Sequence, residues 1–383
     1  MQRTFVRLAL LTALFHVYIG WRILPDLELG PVGMGLGIVF LLISSVFTPL
    51  GVLARWIKPH KLADRIAWVG LILMGLYSSL LVLTLLRDVF LLLASLAVYA
   101  LPSLGGLGEL RHLTALIVPS LALFLTLLGF GNARRRAQVI QVDVPIRDLP
   151  EALQGFRIAQ ISDIHVGPTI KKPYLAKIVA AVNALDADLI AITGDLVDGS
   201  VTELSDQTAP LAGLAARHGT FFVTGNHEYY SGAVEWTEEL KRLGLNVLLN
   251  EHVVLEHEGA SLVVAGVTDY TAHHYDPAQK SDPDAALAGA PLHVRVRVLL
   301  AHQPRTAPAA ERAGFSLQLS GHTHGGQFFP WNFFVRLQQP FTAGLHRLGE
   351  LWVYTSRGTG YWGPPKRVGA PSEITHLRLV AAA

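Results

Sequence analysis

Long stretches without a charged side chain decide what this chain's N-terminal third can become, three of them above all. They run from Gly30 to Ala54, from Ile66 to Leu86 and from Leu113 to Ala133. As helices rising 1.5 Å per residue, all three are long enough to cross about 30 Å of hydrocarbon. A buried helix of a globular protein seldom runs so far without a charge, so repeated runs of this kind read as membrane spans. Charged residues make up only 16% of the chain, below the ~25% of a soluble domain. Leu8–Trp21 is a shorter candidate that Phe5, Arg7 and Arg22 extend by snorkelling. Val89–Gly108 is another, weakened by Pro102 and the glycines after it. Residues 1–133 are therefore expected to form an all-α transmembrane bundle of four or five helices.

Orientation follows from the basic residues. Arg55, Lys58, Lys61 and Arg65 lie between the second and third spans, which places that loop in the cytoplasm together with Arg3 and Arg7. Four spans return Arg134–Arg136 and everything after them to the cytoplasmic face; five put them outside. The four-span arrangement satisfies the positive-inside rule, so the rest of the chain is expected on the cytoplasmic side of the cell (inner) membrane. His16 is the notable polar residue within the spans, and so few intramembrane charges give no ion pathway. A net charge of +2 makes no electrostatic case for nucleic acid. The lack of cysteine excludes disulfides, thiol catalysis and Cys-ligated metals.

Residues 134–150 read as a linker and a first strand, with Ile140, Val142 and Val144 on one face and Gln141 and Asp143 on the other, as at a sheet edge. From Phe156 the pattern changes to short apolar strands alternating with helical stretches, the signature of an α/β domain over residues 151–383. Five of its strand ends carry Asp, Asn or His. In order they are Asp163-x-His165, Gly194-Asp195, Gly225-Asn226-His227-Glu228, His302 and Gly321-His322-x-His324. In an open α/β sheet, ligands collect at that edge. Side chains two apart on an extended segment share a face, so Asp163 with His165, and His322 with His324, can act as pairs.

Asp163, His165, Asp195, Asn226, His302, His322 and His324 together form a donor set of oxygen and imidazole. Without thiolate it suits Mn, Fe, Zn, Mg or Ni, with Mn the first choice. Seven ligands are too many for one such ion and about right for two that share a carboxylate; Asp195 is the expected bridge. A metal pair of this kind clamps the attacking and leaving oxygens of an in-line displacement at phosphorus. A lone strand-end Asp is more often a helix cap, and a lone His302 before Gln303-Pro304 would be an ordinary turn residue. The ordered set changes that reading.

The five motifs, over roughly residues 156–380, resemble those of the calcineurin-like metallophosphoesterase superfamily. The resemblance implies a four-layer αββα sandwich with its site at the strand C-termini. It also implies roles: Asp163, His165, Asp195 and His324 for a first metal ion, and Asp195, Asn226, His302 and His322 for a second. His227 would protonate the leaving oxygen, the usual task of a general-acid His. Gly321-His322-Thr323-His324-Gly325-Gly326-Gln327 is similar to the membrane-anchored branch, some of whose members hydrolyse the pyrophosphate of UDP-2,3-diacylglucosamine in lipid A synthesis.

The expected function is thus a membrane-bound phosphoesterase acting on a phosphodiester or pyrophosphate, with a lipid-linked substrate suggested by analogy. Two alternatives stand beside it: a tethered nucleotide or general phosphodiesterase, and a membrane sensor or scaffold that binds without turnover. Phe328, Phe329, Trp331, Phe333 and Phe334 follow the last motif and read equally as core or as a rim facing lipid. Arg305 and Arg357 read equally as surface residues or phosphate contacts.

Overall fold

The computed structural model describes residues 2–54 and 57–382. Arg55, one of the basic residues used for orientation, lies outside them. The chain divides into two units. The first comprises Met1–Arg134 with Gly363–Lys366, the second Arg135–Trp362 with Arg367–Ala383.

Among the described residues, the first unit has four long helices: α1 (Gln2–Ile23), α2 (Gly30–Leu53), α3 (His60–Ala100) and α4 (Gly108–Arg134). Of these, α2, α3 and α4 are long and apolar enough to cross a membrane. The two uncharged runs on either side of Arg87-Asp88 are one continuous helix of 41 residues, α3, which ends at Ala100 just before Pro102. Arg87 does not interrupt it because each of its three side-chain nitrogens has a partner. They reach Thr114 Oγ1 (2.9 Å), the carbonyls of Arg22 (2.7 Å) and Arg111 (3.0 Å), and Asp26. Asp88 accepts from Arg22 and Tyr18. Charges inside such a bundle persist only when paired in this way. His16 is likewise satisfied, between Thr12 O (2.8 Å) and Ser44 Oγ (2.9 Å). Lys366 Nζ donates to Gly75 O at 2.9 Å and Ser79 Oγ at 2.5 Å.

The second unit is built on twelve strands. In chain order they are β1 (Gln138–Ile146), β2 (Arg157–Ile161), β3 (Leu189–Thr193), β4 (Thr220–Val223), β5 (Asn246–Val247), β6 (Glu251–His257), β7 (Ala260–Gly266), β8 (Arg297–Leu300), β9 (Leu317–Ser320), β10 (Gly344–Leu348), β11 (Leu351–Thr355) and β12 (Glu373–Ala381). They make two six-stranded sheets, β1-β12-β2-β3-β4-β5 and β10-β11-β9-β8-β7-β6. Parallel pairing runs from β2 through β5 and from β7 through β9 to β11. Strand β1 lies at the edge, parallel to β12, with Val144 opposite Leu379.

The sheets face each other through one core. Ile158, Leu189 and Phe221 of the first meet Leu262, Val264, Val298 and Leu317 of the second. Alternation along β7 turns Val263 and Ala265 the other way, onto Ala286 of α9 (Pro283–Ala286) and Ala307 and Ala310 of α10 (Ala307–Ala313). On the far side of the first sheet lie α5 (Lys172–Asn183), α6 (Val201–Thr208), α7 (Asn226–Ser231) and α8 (Ala233–Arg242), with Leu175, Ile178 and Val182 of α5 buried. The unit is thus the αββα sandwich that the motifs implied. Because the parallel strands of both sheets run the same way within each sheet, their C-terminal ends form an edge, and the loops there carry the Asp and His residues.

Candidate metal centre

The loops after β2, β3, β4, β8 and β9 bring the five motifs together. Asp163, His165 and His324 form one group whose ligand atoms lie within 4.8 Å of one another; Asp195, His302 and His322 form a second; His165, Asp195 and His227 form a third that joins them. Individual spacings are short. His324 Nε2 is 3.4 Å from Asp163 Oδ1, and His302 Nε2 is 3.2 Å from Asp195 Oδ2. Two imidazole pairs also meet, His165 Nε2 with His324 Nε2 at 3.1 Å and His322 Nδ1 with His302 Nε2 at 3.2 Å.

The backbone is bent to achieve this. Asp163, His165, Asp195, His322 and His324 all have φ between 50° and 69°. Such left-handed non-glycine residues cost energy and gather at functional sites. Two glycines give the room. A Cβ on Gly321 would stand 2.2 Å from Asp163 Oδ2, and one on Gly225 would stand 2.2 Å from Asp195 Oδ1.

The donor set fits divalent cations, on three observations. Asn226 Oδ1 is buried without a hydrogen-bond partner, although such groups are nearly always satisfied. Second, the far nitrogens of two rings are already engaged: His302 Nδ1 faces Thr193 O at 2.8 Å and His165 Nδ1 faces Asp198 Oδ1 at 3.1 Å. That pattern turns each Nε2 inward, as the hydrogen-bond partners of metal-binding histidines do. Third, burial and the neighbouring His302 charge push His322 down to about 3, and burial with His165 holds His324 well below the usual range. Both rings stay neutral, as ligation requires.

Sequence comparison agrees with this geometry. Residues 156–326 match the family model for calcineurin-like phosphoesterases. The chain is 38% identical over 273 residues to an uncharacterised metallophosphoesterase of Campylobacter jejuni, covering 70% of either chain. It belongs to the calcineurin-like metallophosphoesterases. Two further relatives are a "transmembrane protein with metallophosphoesterase domain" from Danio rerio, 40% identical over 284 residues and 72% of this chain, and its namesake from Bos taurus, 40% identical over 297 residues and 73% of this chain. The match spans 64% and 66% of those two relatives. With its long apolar helices, this metallophosphoesterase is an integral membrane protein.

Three residues of the metallophosphoesterase site went unassigned in the sequence reading. Asp198 accepts from His165 and, at 2.5 Å, from His227 Nδ1. Burial would lower the His227 pKa, but the Asp195 and Asp198 carboxylates raise it to about 9. Asp198 lies three residues beyond Asp195 in Gly194-Asp195-Leu196-Val197-Asp198-Gly199, and a second Asp beside a Gly in the same loop was the available signal. Arg367, buried, donates to His324 O (3.2 Å) and sits 3.1 Å from His324 Nδ1.

Glu228 is the third. Its buried carboxylate accepts the backbone N–H groups of Gly225 (2.6 Å), Asp195 (3.0 Å) and Leu196 (2.8 Å), tying the β3 loop to the β4 loop. Burial, reinforced by the Asp195 charge, pushes its pKa up to about 7. A glutamine would offer one acceptor oxygen where the carboxylate offers two. Glu228→Gln is therefore expected to destabilise the domain by about 1–3 kcal/mol, the cost of a buried donor left unmet. Thermal unfolding of the purified protein reads this, and an unchanged midpoint would contradict it. Of the two arginines considered for phosphate, Arg357 is engaged by Glu373 at 2.8 Å, and Arg305 donates to Gln338 O and lies over the Tyr270 ring.

Proposed function

We propose that the chain is a dinuclear-metal phosphoesterase that hydrolyses a phosphodiester or pyrophosphate bond. The observation that carries this is the pair of buried Asp/His groups joined through Asp195, with the unpartnered Asn226 oxygen beside them. Asp163, His165, Asp195 and His324 would hold one cation, and Asp195, Asn226, His302 and His322 the other. Bound there, two divalent ions would supply Lewis-acid charge to the phosphoryl oxygens and lower the pKa of a bound water.

The chain's own residues do the rest. Asp198 and Asp195 keep His227 protonated at neutral pH. Its Nδ1 is tied to Asp198, so Nε2, 3.9 Å from Asp195 Oδ2, is the nitrogen that gives a proton to the departing oxygen. Tyr230 and Trp362 flank the ring, with centroids 5.0 and 5.7 Å away, and limit its rotation.

Membrane attachment favours a substrate that is itself lipid-linked. If α1–α4 each cross once, Arg7, the Lys58–Arg65 loop and Arg134–Arg136 fall on one side, and the positive-inside rule makes that side cytoplasmic. The test is hydrolysis of bis(p-nitrophenyl) phosphate by detergent-purified protein that has been stripped of metal and resupplied with Mn²⁺. Turnover should vanish on stripping and return with the cation. Two bound ions per chain with no turnover on any phosphoester would leave a sensor or scaffold.

A further inference from the structure

From five residues past the second His of the last motif, the chain exposes apolar side chains in a tight group. Phe328 is buried, but Phe329 is 47% exposed, Phe333 58%, Phe334 53% and Leu337 81%. Trp331 is also exposed. They flank the short helix α11 (Trp331–Phe334) and the 3₁₀ turn Val335–Leu337. No Asp or Glu occurs from Phe315 to Gly349, and Arg336 is the only charged residue within the group. Apolar exposure concentrated like this marks an interaction surface. Aromatic rings with arginine and no acid suit the headgroup level of a bilayer.

The group is fixed to the candidate metal centre. Gly326 follows His324 and has φ +80°, and a Cβ there would stand 2.1 Å from Asn332 Cα, so α11 rests directly on the ligand-bearing turn. Gln327 next to it holds Trp362 by two hydrogen bonds, Nε2 to Trp362 O (2.9 Å) and Oε1 from Trp362 N (3.0 Å). Trp362 in turn lies edge-on to His227. A line of contacts therefore runs from the aromatic group to His227.

We propose that Phe329–Leu337 is a lipid-facing surface seated in the bilayer interface, and that it takes the apolar part of an amphiphilic phosphoester whose phosphate lies at the metal centre. A bilayer is the occupant because the same chain carries membrane helices, and only Arg135–Ala137 separate α4 from β1. Three extended residues reach about 10 Å. The substrate half of this proposal rests on the phosphoesterase reading; the lipid contact does not.

The chain has no cysteine, so single nitroxide labels can be placed at Phe333→Cys, Leu337→Cys and, as a reference on exposed α8, Glu238→Cys. The full chain is reconstituted in phosphatidylcholine vesicles containing phosphatidylglycerol. Collision of each label with oxygen and with a water-soluble nickel chelate is then measured. Labels at 333 and 337 should favour oxygen several-fold over the chelate, and the label at 238 should show the reverse. Equal access of the chelate to all three overturns the lipid contact. So does shielding from both reagents that grows with protein density, since a second copy would then cover the surface. In the same vesicles, hexadecyl p-nitrophenyl phosphate and bis(p-nitrophenyl) phosphate share a leaving group. The ratio of their kcat/KM should fall tenfold or more in Phe333→Ser/Phe334→Ser, and an unchanged ratio overturns the substrate half. Absence of turnover on either ester would instead count against the phosphoesterase reading and leave the label result standing.

Discussion

Replacing Asp195 by alanine is expected to reduce kcat/KM on the order of 10³-fold, about 4 kcal/mol of transition-state stabilisation, and to cut bound metal from two ions per chain to one or none. Asp195 belongs to two of the three candidate ligand groups. One oxygen faces His302 Nε2 at 3.2 Å, and the other accepts the His227 backbone N–H at 2.9 Å. Burial alone would raise its pKa, yet the His302 and His227 charges hold it well below the usual carboxylate range. It is an anion at any working pH, and its loss would leave several buried imidazoles without their common counter-charge. Asp195→Asn separates the two contributions. It keeps an oxygen for the His227 N–H but removes the negative charge, so it should hold the loop and still lose metal. Metal content by elemental analysis, read beside turnover, decides the matter. Two ions and near-normal turnover in both variants would rule out Asp195 as the shared ligand.

The sequence alone could show the strand ends because their chemistry is local. A strand followed by Asp-x-His or Gly-Asn-His declares both its direction and the side chains at its tip. What holds those tips is not local. Glu228 stands inside a motif that was read, but its carboxylate acts on the backbone of residues 195–196, about thirty positions earlier in the chain. Arg367 reaches His324 from a Gly/Pro-rich stretch whose composition signals only a turn. The same limit applied to the helices. Hydropathy saw two apolar runs separated by Arg87-Asp88, whereas α3 passes through both because carbonyls and side chains from other helices receive the Arg87 donors. Strand β10 carries no apolar signature in the sequence because His346 and Arg347 interrupt its pattern at the sheet edge. The aromatic group after His324 was open between core and rim from composition; its exposure turns on how α11 rests against Gly326, which no window of sequence contains.

His227→Gln is expected to lower kcat by about 10²–10⁴-fold, the usual worth of general acid catalysis, while leaving both metal ions in place. The loss should depend on the leaving group. A p-nitrophenolate departs readily without a proton, so bis(p-nitrophenyl) phosphate should understate the effect. An alkyl ester or a pyrophosphate should show it in full. The pH profile supplies a second signature. His227 must carry its proton to act, and the Asp195 and Asp198 carboxylates hold that proton up to about pH 9 against the opposing effect of burial. As pH rises through that pKa the acid is lost, so the rate on an alkyl ester should fall along an alkaline limb. Bound cations oppose the carboxylates and bring the limb below pH 9. Asp198→Asn removes one raising charge and the anionic acceptor 2.5 Å from Nδ1, so its limb should move to lower pH with a smaller loss of kcat. In His227→Gln the limb should vanish. A limb unchanged in both variants would assign the ionisation to another group, and His227 would then serve only to position the phosphate.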